Sequence, residues 1–264
     1  MNSISLIHRV TRRPLHEFVD FVWLSENYVR PHATERVLAT GTAGLILNLD
    51  ARAQAAADIL SGARTRSFVL DTSKPLSLIG VNFRPGGSFP FSGGSAAESE
   101  NLSVPLDALW GRGALVLREQ LLEAASPAAK FEVLEHFLST QLIRCQARRH
   151  PAVRYAIDAF QTNSEALSVG SVVDRVGLSA RRFIELFRRE VGMTPKLFCR
   201  VARFRAVVTA LESAAPVDWA ATAALSGYFD QAHFIHDFRA FAGVTPAAYI
   251  ARRTASPNHV RIGQ

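Results

Sequence analysis

The chain has 264 residues and 48% of them are hydrophobic, so it can hold one large or two small packed domains, and a globally disordered chain is excluded. It carries 30 Lys and Arg against 23 Asp and Glu, and residues 150–264 hold 14 of the basic and 9 of the acidic side chains. No apolar run approaches the roughly 20 residues of a membrane-spanning helix, and the N-terminus lacks the pattern of a secretory signal. We therefore expect a cytoplasmic protein with no membrane partner.

Strand-like patterns dominate the first hundred residues. Four short runs rich in apolar, aromatic and β-branched residues end in turn formers, and they cover residues 18–24, 44–50, 67–71 and 76–83. Strands at this spacing favour a small sandwich or barrel. The Gly-, Ser- and Pro-rich residues 85–103 are predicted to form a loop.

Helical patterns follow the strands. Apolar side chains recur every three or four residues in 106–110, 113–124 and 128–146, and the last two helices are expected to connect domains or form a dimer contact. After Pro151 only helices are predicted, at 152–161, 168–176, 180–190, 195–212, 217–225, 231–240 and 246–252. The predicted domains are a β-rich sensor domain at 1–110, connecting or dimerisation helices at 111–150, a helical domain at 151–254 and a tail at 255–264.

One spaced pattern occurs twice in the helical domain. Phe-Ile-x-x-Phe-Arg-x-x-x-Gly-x-Thr-Pro stands at residues 183–195 and again at 234–246. A glycine turn and a residue suited to cap a helix precede each copy, Ser179 in the first and Asp230 in the second. A short helix, a glycine turn and a capped second helix are the parts of a helix-turn-helix unit. The repeat therefore predicts two such units, joined by the long helix at 195–212.

The second helix of each predicted unit has an apolar face and a polar face. In the first unit the polar face and its flank carry four arginines and a glutamate. A solvated surface helix is the plain alternative for one such helix, but the repeat favours a pair of major-groove readers about one DNA turn, roughly 34 Å, apart. Arg188 and Arg239 occupy the same slot in both units and, with Arg189, are predicted to contact phosphates.

Residues 152–252 resemble the DNA-binding domain of the AraC-type transcription regulators. The resemblance lies in residues 177–179, 192–195 and 203–206 of the first unit and the linking helix, and in residues 227–234 and 243–246 of the second unit. The family has an all-α domain of two helix-turn-helix units joined by a long helix, and it places base contacts near the start of both recognition helices. Carried over, the implied base contacts are Arg181, Arg182, Glu185, Gln231, Ala232 and His236.

The first half is similar to the sensor region of one branch of that family. The similarity lies in residues 80–87 and 106–111. It implies a small cupin-like β-barrel followed by helices, and hence an α+β protein overall. A candidate ligand pocket comprises Trp23, Phe83, Arg84 and Phe89, with packing and turn roles as the alternative.

The sequence offers little support for other chemistry. His233 and His236 are three apart on a helix, but we do not expect thiol or carboxylate ligands to complete a zinc site around them. We predict no catalytic residues, no metal site and no cofactor. Cys145 and Cys199 are expected to be buried, unpaired thiols.

The sequence therefore predicts a sequence-specific DNA-binding transcription regulator rather than an enzyme. Its predicted partner is double-stranded DNA, and candidate partners are a small-molecule effector, a second copy of the chain and RNA polymerase. One alternative is an enzyme with a catalytic N-terminal barrel and a DNA-targeting C-terminal domain. Another is a helical protein-interaction module, which would show no salt-dependent affinity for DNA.

Overall fold

The computed structural model describes residues 6–28, 32–50, 58–73, 76–146, 148–162, 168–213, 219–254, 256 and 258–262. The strands within these ranges are β1 (Leu6–Arg9), β2 (Val19–Tyr28), β3 (Thr34–Val37), β4 (Gly44–Asn48), β5 (Ile59–Ser61), β6 (Phe68–Asp71), β7 (Leu76–Phe83), β8 (Ser103–Pro105) and β9 (His259–Arg261). The α-helices are α1 (Leu106–Trp110), α2 (Arg112–Glu123), α3 (Pro127–Cys145), α4 (Pro151–Thr162), α5 (Val169–Val176), α6 (Ala180–Val191), α7 (Pro195–Ser213), α8 (Trp219–Leu225), α9 (Gln231–Ala242) and α10 (Pro246–Arg252).

The strands form two antiparallel sheets. One sheet has the order β1-β2-β7-β4-β5-β8 and the other the order β6-β3-β9. The edge strands β1 and β8 do not pair with each other, so the described strands form two open sheets rather than the closed cupin-like barrel that the resemblance implied. The reason is that β3 pairs with β6 and with the distant β9 instead of joining the larger sheet. The α+β class is confirmed.

The larger sheet and the helices after it share one core. On α3 the buried side chains are Phe131, Leu134, Leu138 and Leu142, which have the predicted helical spacing and pack with buried residues of β2, β4 and β7. The buried side chains of α2 join the same cluster. The helices predicted as connecting elements therefore belong to the core of the N-terminal half. They cover the apolar face of the larger sheet, which has to be buried against another layer.

The helices after Pro151 start and end within two residues of their predicted limits, apart from residues 217 and 218 of the predicted sixth helix, which lie outside the described residues. Two apolar clusters hold these helices together, and α7 contributes to both. Its Phe198 lies 5.5 Å from Phe187 of α6, and its Phe204 lies 5.2 Å from Phe238 of α9, measured between ring centroids. The long helix is thus a common wall for both helix-turn-helix units.

The prediction of helices alone after Pro151 is wrong in the segment predicted as a tail, because β9 is a strand there. Arg36 of β3 lies opposite Val260 of β9, and Val260 is buried. Leu38 and Ala39, which follow β3, are buried in the cluster around α9. A three-residue strand whose partner lies more than 200 residues away leaves no local pattern to detect.

Two smaller findings concern the membrane and thiol predictions. No helix among the described residues is long and apolar enough to cross a membrane. Both cysteines are free thiols, but Cys145 is exposed, so the prediction of two buried thiols is wrong for this residue. Cys199 is partly buried, and this burial raises the pKa of its thiol to about 11.

Candidate DNA-binding surface

The first helix-turn-helix unit is α5 and α6, and local hydrogen bonds set its limits. Gly177 turns the chain in the left-handed region, at φ 67°, which favours glycine. The Ser179 hydroxyl then accepts a hydrogen bond from the Arg182 amide at 3.3 Å and caps α6. Gly192 ends α6 at φ 92°, and the Thr194 hydroxyl caps α7.

The second unit, α8 and α9, repeats these devices. Gly227 turns the chain at φ 69°, and the Asp230 carboxylate accepts a hydrogen bond from the His233 amide at 2.7 Å. Gly243 ends α9 at φ 70°, and Thr245 caps α10 just before Pro246. The repeated Gly-x-Thr-Pro of the sequence is therefore a helix stop followed by a helix start.

The outer face of α6 is exposed and charged. The Arg181 side chain is 90% exposed, and its Nε donates to the Glu185 carboxylate at 3.1 Å. Arg182 lies 3.9 Å from the other oxygen of the same carboxylate. Pairs this exposed add little stability, because water screens the charges. Their effect is to hold two guanidinium groups side by side on the first turns of the helix.

The outer face of α9 is also exposed but carries less charge. Gln231, Ala232, His236 and Arg239 all point to solvent, whereas Phe234 and Phe238 are fully buried. The side chains that the resemblance implies as base contacts are thus exposed on both helices, and the N-terminal half does not bury them.

Arg188, Arg189 and Arg239 are all exposed, and Arg189 also lies at the border with the N-terminal half. The Arg189 guanidinium lies 5.6 Å from the ring centre of Phe89 and 3.6 Å from the carboxylate of Glu190. Glu190 is buried and accepts a hydrogen bond from the His150 amide at 3.1 Å. Burial raises the pKa of the Glu190 carboxyl, against the lowering effects of this hydrogen bond and of Arg189.

A partly buried ion pair between α7 and α9 was not predicted from the sequence. The Asp237 carboxylate is buried and accepts hydrogen bonds from the Arg200 guanidinium of α7 at 2.6 and 3.3 Å. This hydrogen bonding raises the pKa of Arg200. Nearby, burial and then the charge of Asp237 raise the pKa of Tyr228. The sequence does contain a sign of this ion pair, because Asp237 stands on the apolar face of the helix, between Phe234 and Phe238, where a carboxylate needs a partner.

The four residues of the candidate ligand pocket lie in separate surroundings. The Trp23 ring covers Gly80, where a Cβ atom would lie 2.4 Å from it. Phe83 is buried against Phe91 with ring centres 5.3 Å apart, and Phe89 lies beneath Arg189. Arg84 lies at the rim of a cleft, and its Nε donates to the His16 carbonyl.

The N-terminal half contacts both helix-turn-helix units. At the first unit, the backbone of Ala96 lies so close to Gly192 that a Cβ atom on this glycine would be 3.2 Å from the Ala96 carbonyl oxygen. At the second unit, the Ala39 amide donates to the Phe241 carbonyl at 3.1 Å. Between them, Arg205 of α7 donates to the Thr40 carbonyl at 2.8 Å. The N-terminal half therefore contacts the helical domain, which carries the outer faces of α6 and α9, at several points.

No arrangement typical of a metal site is found in the part of the chain that the structure describes. No group of three or more His, Cys, Asp or Glu residues is close enough there to hold an ion. The His233 ring lies 3.8 Å from Asp237, which is already paired with Arg200.

Two family models match the chain. Residues 10–105 match a domain of unknown function (DUF6597), and residues 172–252 match a helix-turn-helix domain. No protein with a curated function matches the chain in sequence.

Among solved structures, the chain is similar to ToxT of Vibrio cholerae. ToxT from strain O395 gives a TM-score of 0.44 at 10% identity, with 96% of this chain and 98% of that chain covered. ToxT bound to an unsaturated fatty acid gives 0.38 at 8% identity, with 95% and 97% covered. A third structure of ToxT gives 0.40 at 9% identity, with 94% and 97% covered.

The matched helix-turn-helix region coincides with the elements described above. It begins within α5 and ends at the last residue of α10, so it contains both glycine turns and both capped helices. The chain thus carries an AraC-type helix-turn-helix domain at residues 172–252, behind an N-terminal domain whose family has no assigned function.

Proposed function

We propose that this protein is a transcription regulator that reads specific DNA sequences by placing α6 and α9 in two adjacent major grooves. One observation carries the proposal: within a matched helix-turn-helix domain, two capped helices each present an exposed polar face. Recognition helices contact base edges with the residues near their N-terminal ends. The capped ends of α6 and α9 carry such side chains.

Six side chains are the proposed base contacts. Arginine can donate two hydrogen bonds to guanine, glutamine can pair with adenine, glutamate can accept from cytosine, and an alanine methyl can contact that of thymine. Glu185 also holds Arg181 in place, so guanine recognition on α6 would depend on this carboxylate. The proposed base contacts are Arg181, Arg182 and Glu185 on α6, and Gln231, Ala232 and His236 on α9.

Three arginines are the proposed phosphate contacts. Arg188 and Arg239 occupy matching places on α6 and α9 and are exposed. Arg189 would contact a phosphate at the side of α6 that faces the N-terminal half. Contacts of this kind set the register on the duplex without reading sequence, and they make binding fall with salt.

The N-terminal half is the proposed sensor, since its contacts with both units give a bound small molecule a route to the DNA-binding surface. Self-association is a further proposal, supported by three apolar side chains of α2 that are partly exposed: Leu115, Val116 and Leu122. RNA polymerase is another proposed partner, and the proposed place of action is the cytoplasm.

The experiment is selection of bound DNA from a random pool, followed by affinity measurements over a range of salt. We expect two preferred blocks about ten base pairs apart. Arg181→Ala should cost about 1–3 kcal/mol on the selected site and relax the preference at one base position. Arg188→Ala should weaken binding to all sequences alike and lower the salt slope by about 1.

Arg112→Ala is the matched control, because Arg112 is an exposed arginine in the N-terminal half. It should leave both the affinity and the preference unchanged. The assigned roles are wrong if Arg181→Ala and Arg188→Ala have the same effect on selected and random DNA. The absence of any salt-dependent affinity would support the protein-interaction alternative instead.

A further inference from the structure

A cleft of about 660 Å³ lies between the N-terminal half and α4, which leads into the first helix-turn-helix unit. One wall comes from residues 16–18 and from Arg84 and Pro85. The opposite wall comes from Arg148 and Arg149 and from one side of α4. Cavities that bind small molecules commonly measure about 300–1,000 Å³. The proposed DNA contacts do not involve this cleft.

A tight turn builds the first wall. A Cβ atom on Gly87 would lie 1.9 Å from the Phe18 carbonyl oxygen, so only glycine allows this approach. The Arg84 amide donates to the same carbonyl at 2.9 Å, and the Arg84 Nε donates to the His16 carbonyl at 2.8 Å. The motif Arg-Pro-Gly-Gly at 84–87 therefore fixes one guanidinium group at the rim of the cleft.

The cleft is rich in positive charge. Four of its lining side chains are arginines and two are carboxylic acids, Glu17 and Asp158. Arg148 and Arg154 are exposed, and within the described residues neither has an ion-pair partner. Guanidinium groups match carboxylate and phosphate oxygens with two parallel hydrogen bonds. The lining thus suits an anion better than a neutral molecule.

Two residues that line the cleft each have a buried polar atom without a hydrogen-bond partner among the described residues: Nη2 of Arg149 and Nδ1 of His16. The Arg149 guanidinium also lies 5.8 Å from the ring centre of Phe18. Burial lowers the pKa of Arg149, although Glu190 and Asp158 oppose this shift. Buried polar groups in folded proteins are nearly always paired. Both atoms are almost inaccessible to solvent, so a ligand in the cleft would contact the accessible parts of the lining arginines rather than these two atoms.

We propose that this cleft binds a small organic anion with carboxylate or phosphate groups, held by Arg149 and by the arginines at the rim, Arg84, Arg148 and Arg154. We favour a small anion over a DNA backbone, because the arginines line a concave cleft of the size that small molecules occupy. Because the two walls belong to different halves of the chain, a bound anion would also fix the first helix-turn-helix unit against the N-terminal half. This last step rests on the proposed function.

The binding test is titration calorimetry of the full chain without DNA, with citrate and inorganic phosphate as anionic probes and glucose as the neutral probe. Citrate or phosphate should bind and glucose should not. Arg148→Gln and Arg154→Gln should each weaken binding about tenfold, the loss of one charge-assisted hydrogen bond. Both side chains are exposed, so both variants should fold. Arg112→Gln, outside the cleft, is the control.

Several results would overturn the site. They are the absence of binding by both anions, undiminished binding in the double variant Arg148→Gln/Arg154→Gln, and an equal loss in the Arg112→Gln control. A loss of DNA affinity in Arg154→Gln without any anion would instead identify this arginine as a DNA contact.

The link to DNA is tested separately. Citrate should change the affinity of the wild type for its selected site, but not that of the double variant. A protein that binds citrate yet recognises no DNA would refute the proposed function and leave the anion site in place. A protein that binds both independently would refute only the link between them.

Discussion

The ion pair between Asp237 and Arg200 offers a sharp test of how α9 is held. We predict that Asp237→Ala destabilises the protein by about 2 kcal/mol, a typical cost for the loss of a hydrogen-bonded charged partner. The Asp237 side chain is 2% exposed and that of Arg200 is 35% exposed. In the variant, Arg200 can regain water, so the cost should stay below the 3–5 kcal/mol found when a fully buried pair is broken.

Thermal unfolding measures this cost. For a chain of this size, about 2 kcal/mol corresponds to a fall in Tm of about 4–8 °C. The control is Asp174→Ala, since Asp174 is an exposed aspartate on α5, and its effect should stay within about 0.5 kcal/mol.

A double-mutant cycle with Arg200→Ala isolates the pair itself. We expect the double variant to be clearly more stable than the sum of the two single losses implies. Additive losses would refute the reasoning, because they would mean that each side chain acts through other contacts.

Two further predictions concern the border between the halves. Gly192→Ala should destabilise more than Gly177→Ala: both glycines have positive φ, which costs roughly 1–2 kcal/mol for alanine, but only at Gly192 would the new methyl press on Ala96. Equal losses of Tm in the two variants would contradict this contact. Glu190→Gln should be at least as stable as the wild type at pH 7, because burial raises the pKa of Glu190 and so favours its neutral form in the folded protein. The stabilising contribution of Glu190 is fully present below the ordinary carboxyl pKa of 4.5, and it is lost as the pH rises through the higher pKa of the folded protein. Between pH 4 and pH 8, the free energy of unfolding should therefore decrease less in the variant than in the wild type.

The helical half was predictable because its signals are local. Capping residues, left-handed glycines and Thr-Pro pairs lie within a few residues of the helix ends that they define, as Ser179 and Gly192 do for α6. The apolar spacing of α6 and α9 also gave the exposed face correctly, since a regular helix fixes which residues share a side. The identity of the exposed residues followed from the sequence for the same reason.

What escaped prediction depends on residues far apart in the chain. The buried pair of Arg118 and Asp58, 3.0 Å apart, joins α2 to the residue just before β5. The cleft forms only where residues 16–18 and α4 lie close together, and the spacing of residues along the sequence does not predict that these distant segments are neighbours. The cupin-like closed barrel was implied by the resemblance, whereas the pairing of β3 with β6 and β9 places β3 in a second, separate sheet. Non-local contacts of this kind are visible only once the chain has folded.

The pairing of β3 with β9 has a consequence for synthesis. Glu35 and His259, in contact at 2.8 Å across these strands, are 224 positions apart in the chain. At a translation rate of about 5–20 residues per second, β9 is therefore synthesised some ten seconds or more after β3. Until then one edge of β3 stays open, and the nascent protein is exposed to mispairing with other chains over that interval.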